Sequence, residues 1–208
     1  MTIIVRLAES ADRDTATRTL VSAFWNYPET VHLLPAERAR RRVLPRYLGS
    51  DVSDALSNGF VDVATVDDDI VGAAVWLPPG AYPVGIRRQL TEAVRVAPIA
   101  PWGLRALAEA KRGQAANRGA HRPFPPHHWL RTIGVHPGHQ GAGIGRALMR
   151  AGLERADEDG TGAFLFTATE ANVGWYSQFG FDVSAEYRPT PSWPHTWAMW
   201  RPPSEARA

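Results

Sequence analysis

The stretch "HPGHQGAGIGRALM", His136 to Met149, holds the residues best placed to do chemistry. Gly141, Gly143 and Gly145 alternate with Ala142 and Ile144 just where a helical pattern begins. The first turn of a helix leaves several backbone N–H groups unpaired and carries roughly half a positive charge. Removing side chains there lets an anion reach those donors directly. The spacing predicts backbone recognition of a phosphate or pyrophosphate, with Arg146 available to help.

Two phosphate patterns fail on inspection. A dinucleotide fingerprint counted from Gly141 and Gly143 needs a glycine where Arg146 stands. A P-loop needs a lysine after its last glycine, and the only lysine is Lys111. The pattern that fits is Q-x-x-G-x-G, formed by Gln140, Gly143 and Gly145. It follows a strand ending "IGVHP" and opens an amphipathic helix with Ile144, Leu148 and Leu153 inward.

The elements that must position this loop follow from periodicity. "IIVRLAE" reads as a strand, and "ADRDTATRTLVSAFW" as a helix with Ala16, Leu20, Val21 and Phe24 on one face. "NYPETVHLLP" reads as a broken connection, and a second helix is expected over about Ala36 to Leu56. Two β-branched runs flank Asp67, Asp68 and Asp69, a hairpin signature. Val84 to Arg118 reads as one or two helices interrupted at Pro98 and Pro101. Strands then fall at Leu130 to Val135, "AFLFTAT", "FDVSAEY" and "HTWAMW", with helices to about Asp159 and at "NVGWYSQF". This order is not simple βα alternation, and it predicts an α+β fold with one mixed sheet. A single domain is expected over 1–202, with a loose tail over 203–208.

Composition narrows the function classes. At 44% hydrophobic and 21% charged, the chain reads as an ordinary soluble globular protein. It has no cysteine, which excludes disulfides, thiolate metal sites and a cysteine nucleophile. No apolar run is long enough to span a membrane, and "MTIIVRLAES" is not a secretory signal, so a cytoplasmic, membrane-free protein is expected. The histidines show no metal-ligand spacing, so no metal is expected. The basic cluster Arg38, Arg40, Arg41 and Arg42 lacks interleaved aromatics and reads as a solvated helix face, so no nucleic-acid partner is expected.

"IGVHPGHQGAGIGRALM" resembles the acetyl-CoA-binding motif of the GCN5-related N-acetyltransferase (GNAT) superfamily. "TEANVGWYSQFGF" resembles the late helix of that family, with Asn172 and Tyr176 one turn apart and Gly180 and Phe181 following. A narrower likeness, to puromycin N-acetyltransferase and its bacterial relatives, runs through "ATRTLVSAFWNYPETVHLL", "AAVWLPPG", "HRPFPPHHWLRTIGVHPGHQG" and "HTWAMWRPP". It is weakest between Val84 and Gly119.

The resemblance implies a mostly antiparallel sheet of about seven strands, flanked by helices and splayed at the acetyl-CoA site. Acetyl-CoA is the implied cosubstrate and a small-molecule amine the implied partner. The main chain of Ile133, Gly134 and Val135 would hold the pantetheine arm like an added strand. The pyrophosphate would rest on N–H groups of Gln140, Gly141, Ala142, Gly143, Ile144, Gly145 and Arg146. Asn172 would contact the coenzyme, and Tyr176 would protonate the departing thiolate. Tyr27, Trp76 and Trp129 are expected to line the acceptor pocket, chosen from loop and strand-end aromatics that include Trp25 and Trp193.

The base is the open position. Many family members carry a glutamate on the strand before the glycine loop, but here that strand reads Trp129, Leu130, Arg131, Thr132. At pH 7 about a tenth of an α-amine (pKa ~8) is neutral, but well under a thousandth of a lysine-like amine (~10.4). A site without a strong base suits the α-amine, such as that of a puromycin-like aminoacyl compound. Water relays through Glu170, His127, His128 or His195 stay open at this stage. So do a catalytically silent acyl-CoA-binding regulatory module and a peptide or protein N-acetyltransferase.

Overall fold

A computed structural model describes residues 2–81, 100–121 and 124–204. The first strand, β1 (Ile4–Leu7), leads into α1 (Arg13–Phe24), a short α2 (Pro28–Leu33) and a long α3 (Glu37–Asn58). The hairpin β2 (Phe60–Val66) and β3 (Asp69–Leu77) follows, then α4 (Ala100–His121) and β4 (His128–Val135). The chain closes with α5 (Ile144–Glu158), β5 (Ala163–Thr167), α6 (Glu170–Ser177), β6 (Asp182–Tyr187) and β7 (Thr196–Arg201). Seven strands form one sheet in the order β1-β2-β3-β4-β5-β7-β6. Among the described residues only β4 and β5 run parallel, as a strand–helix–strand crossover requires; the other neighbours are antiparallel. This is the α+β architecture with one mixed sheet that the sequence predicts.

Local chemistry accounts for the elements. The β2–β3 turn places Asp67 and Asp68 at φ +49° and +68°, the two-residue turn that matches strand twist and that Asp tolerates. The expected broken connection contains α2, which Pro28 opens because its fixed φ suits a first helical turn. Pro101 likewise lies in the first turn of α4 and does not interrupt it; Pro98 falls outside the described residues. Of the expected tail, Ser204 hydrogen-bonds Asp157 at 2.8 Å, and 205–208 lie outside the described residues.

Two cores cover the sheet. On one face α5 buries Ile144, Leu148, Met149 and Leu153, at helical spacing, against Trp76, Leu130 and Leu165. On the other, α1 and α3 bury Leu20, Leu44, Leu48 and Val52 against Val63, Val75 and Leu77. The arginine cluster is not one solvated face. Arg40 is buried and caps the end of α2 through the carbonyls of Leu34 and Pro35, at 2.9 and 3.1 Å, while Arg41 pairs with Glu37. Among the described residues no helix is long and apolar enough to cross a membrane.

The start of β4 packs under a cluster of rings. His121, at the end of α4, stacks on Phe164 at 4.4 Å and approaches the His127 ring nitrogen at 2.5 Å. Burial, then the neighbouring His127, pushes the His121 pKa down to about 3. A histidine held neutral in the folded state contributes stability that is complete above its unfolded value, near 6.5, and lost as pH falls from there toward 3. His121 alone is expected to cost roughly 2 kcal/mol on going from pH 7 to pH 5. Urea unfolding at the two pH values checks this, and His121→Phe is expected to flatten the difference.

Candidate active site

The parallel pairing of β4 with β5 is short: His128, Trp129 and Leu130 pair with Ala163, Phe164 and Leu165. Beyond Leu130 the two strands part, while β4 stays bonded to β3 as far as Val135. The register against β3 shifts between Val75 and Trp76, which leaves Arg131 as the extra residue of a β-bulge where the gap opens. The His136 N–H donates to Val71 on the β3 side. Strand alternation then turns Gly134 and Thr132 toward β3 and leaves the main chain of Ile133 and Val135 facing the gap.

Gly134 therefore serves a different purpose from its neighbours. A Cβ there would lie 2.7 Å from that of Ala23, so its missing side chain admits α1, and its pairing with Ala73 commits its backbone to β3. It does not offer main chain to the gap.

At the wide end of the gap a 3-10 turn over Pro137–His139 leads into the glycine loop. Gly141 and Gly143 sit at φ +81° and +85°, a left-handed backbone that favours glycine, and a Cβ on either would meet only open space. The first backward hydrogen bond of α5 runs from Ala147 to Gly143, at 3.0 Å. The N–H groups from Gly141 to Arg146 precede it, so the loop is an open cradle of donors at the positive end of a 15-residue helix. Gln140 turns its side chain inward and donates to the Val135 carbonyl at 3.1 Å, which fastens the loop to the strand. Ile144 is buried in the core and faces the cradle only through its backbone. Arg146 donates to Gln178 at 2.6 Å and lies over the Phe179 ring.

The other lip of the gap is the end of β5. The Thr167 hydroxyl joins three elements there. It shares a hydrogen bond with the Tyr27 hydroxyl at 3.3 Å and accepts from the Asn172 amide and the Thr169 N–H, both at 3.4 Å. Tyr27 also accepts from the Ala168 N–H at 2.6 Å. Asn172 is thus tied to the strand end. Tyr176, one turn along α6, is buried, and among the described residues nothing hydrogen-bonds its hydroxyl. Burial raises its pKa far above the usual phenol value, with Tyr27 adding in the same direction, so it stays protonated.

The aromatic residues separate sharply. Trp76 is fully buried, and a Cβ on Gly152 of α5 would overlap its ring at 2.3 Å. It fills the core under α5, which corrects the expectation that it lines the acceptor pocket. Trp129 is half-buried on the wall of a cavity of about 600 Å³, together with Pro78, Arg118, His121 and Phe124. Tyr27 borders a smaller recess of about 20 Å³ with Glu29, Asn117, Phe166, Thr167 and Trp193.

The three histidine relay candidates are engaged elsewhere. His127 contacts His121 and the Pro125 carbonyl, His128 contacts Thr161 and Asp159, and His195 stacks on Trp197 near Glu186. Glu170 sits in the first turn of α6. Sequence reasoning missed Glu29. It is half-buried in the recess, and burial, reinforced by Asp51, lifts its carboxyl to about 7. The sequence signal was slight, a lone glutamate after a proline. Among the described residues no group of three His, Asp or Glu side chains could hold a metal ion.

Solved structures share this fold. An acetyltransferase from Corynebacterium glutamicum, described as histone acetyltransferase HPA2 and related acetyltransferase, matches with TM-score 0.72 and 22% identity, over 100% of both chains. The polyamine N-acetyltransferase of Drosophila melanogaster matches with TM-score 0.64 and 18% identity, over 96% of this chain and 98% of that one. Arylalkylamine N-acetyltransferase 2 from Aedes aegypti matches with TM-score 0.63 and 15% identity, over 97% and 99%. At these identities the likeness is one of fold. The sequence profile of the acetyltransferase (GNAT) family matches residues 19–181, most of the chain, and on that match the protein belongs to the GNAT family of acetyltransferases, whose cosubstrate is acetyl-CoA.

Proposed function

We propose that the protein acetylates the primary amine of a small molecule, with an α-amine such as that of a puromycin-like aminoacyl compound as acceptor. The observation that carries this reading is the joining of two half-sites, an open donor cradle and a parted strand pair, by β4 itself. The cradle suits a pyrophosphate. Ile133 and Val135 face the gap with main chain that β5 does not pair, along which an amide-bearing arm can add as a strand. At the narrow end, main chain near Ile133, next to the bulge at Arg131, would meet the oxyanion. Tyr176 holds the proton that the leaving thiolate needs, and Trp129 and Tyr27 offer apolar and polar walls to the acceptor. The donor contributes a thioester carbonyl, and the protein aligns the amine with it and keeps water out.

The test is release of CoA thiol from acetyl-CoA with a panel of amines. The panel runs from puromycin and aminoacyl esters to polyamines, aminoglycosides and peptides. Fast turnover of an α-amine is the expected result. Tight acetyl-CoA binding with no turnover of any amine would identify a silent binding module instead.

A further inference from the structure

We infer that Glu29 is the group that takes the proton from the acceptor's ammonium, so that the catalytic base of this enzyme comes from α2 and not from β4. This rests on the acetyltransferase reading above, and it fills the position left open where Trp129, Leu130, Arg131 and Thr132 supply no carboxylate.

The geometry is specific. Glu29 borders the recess at the lip of the strand gap, with Tyr27, Thr167 and Ala168, and Tyr27 hydrogen-bonds that lip directly. The recess, about 20 Å³, has room for one water-sized group, which is also the size of an ammonium head. Among the described residues the Glu29 carboxylate has no ion-pair or hydrogen-bond partner. Five other carboxylates are committed to arginines. Asp12 pairs with Arg6, Asp62 with Arg155, Asp157 with Arg201, and Asp51 and Asp54 with Arg131.

A structural role explains Glu29 less well. An acid in the first turn of a helix is ordinarily there to meet the positive end of the dipole, which favours its charged form. Here burial outweighs that effect and favours the neutral form. The ionisable groups around it are Asp51 from α3, Tyr27 on its own connection and Tyr176 from α6 beyond Tyr27. The walls from α4, β5 and β7 contribute Asn117, Thr167 and Thr196, which carry no charge.

Magnitudes favour the assignment. Passing a proton from an α-ammonium, near ~8, to an ordinary glutamate, near ~4.3, is uphill by nearly four pKa units. Passing it to a carboxylate at about 7 is uphill by only about one, and about half of that carboxylate is ionised at neutral pH. Glu29 takes one proton from R–NH3+ and later gives it to water. The neutral nitrogen bonds to the thioester carbon, the C–S bond breaks, and the sulfur takes the Tyr176 proton. Tyr176 is then restored by the second proton leaving the new amide nitrogen.

The experiment compares wild type with Glu29→Gln and Glu29→Asp on whichever amine of the panel the wild type acetylates, from pH 6.5 to 9. Acetyl-CoA affinity and thermal midpoint are measured alongside. Glu29→Gln is expected to lower kcat at pH 7 by about 10²-fold, with the deficit shrinking toward pH 9 as solvent deprotonates the amine. Acetyl-CoA affinity should be unchanged, and Glu29→Asp should restore part of the rate. A deficit that is equal at pH 7 and pH 9, or that lies wholly in KM, would overturn the assignment, as would a rate within threefold of wild type. Should the wild type acetylate nothing, the acetyltransferase reading fails at the panel and this inference falls with it.

Discussion

Tyr176→Phe is expected to lower kcat by about 10²- to 10³-fold and to leave the dissociation constant of acetyl-CoA within about twofold. The substitution removes one oxygen from a buried ring and none of its packing against Trp175 and Phe181. Burial raises the phenol's pKa, which by itself makes it a weaker acid. In the proposed mechanism the thiolate departs into the same poorly solvated space, where the proton affinity of sulfur would rise as well. Raising the pH should not relieve this deficit, because the missing proton is needed on the leaving group and not removed from the nucleophile. That separates Tyr176 from Glu29 in one set of pH profiles. A Tyr176→Phe enzyme with full kcat would make the residue a core aromatic only.

The second large effect concerns stability and lies away from the site. Asp62, in the middle of β2, is fully buried, and Arg155 of α5 reaches it with both guanidinium nitrogens while lying over the Phe60 ring. Burial raises the Asp62 pKa in spite of the arginine, so the attraction does not fully repay desolvation. Arg155→Ala strands a carboxylate in the core and is expected to cost about 3–5 kcal/mol of unfolding free energy at pH 7. Replacing both partners, Asp62→Val with Arg155→Met, should recover most of that loss. A double-mutant cycle by urea unfolding reads the coupling directly; additive single losses would show the two residues to be independent.

Much of the scaffold was legible because it rests on local rules. Adjacent aspartates between β-branched runs predict a tight hairpin, and both adopt the positive φ that such a turn demands. The glycines before α5 predict a bare helix start, which Gly141 and Gly143 supply. Trp76 was misplaced because β3 is buried on both faces from Val71 to Leu77, so alternation carries no sign of which side holds a pocket. The clue was remote: Gly152, a glycine on the buried face of α5, exists to admit that indole. Gly134 misled in the same way, since its glycine answers to Ala23 on α1, far off in sequence. Glu29 was illegible because nothing in "NYPETV" shows that α3 will bring Asp51 near it and that β5 will shut water away. Local rules place elements, whereas the acidity of a side chain is set by whatever the fold later stacks beside it.

The brevity of the β4–β5 pairing has a mechanical meaning. Three residue pairs are all the backbone ladder that joins a four-stranded leaf, β1 to β4, to a three-stranded one, β5 to β7. Side-chain packing adds to that ladder, from α5 and from the rings around His121 and Phe164, and the Thr167 hydroxyl ties the Tyr27 connection, β5 and α6 together. A molecule that laid its own amides along Ile133 and Val135 would extend the seam between the leaves, so the cleft doubles as an unfinished stretch of the protein's own sheet.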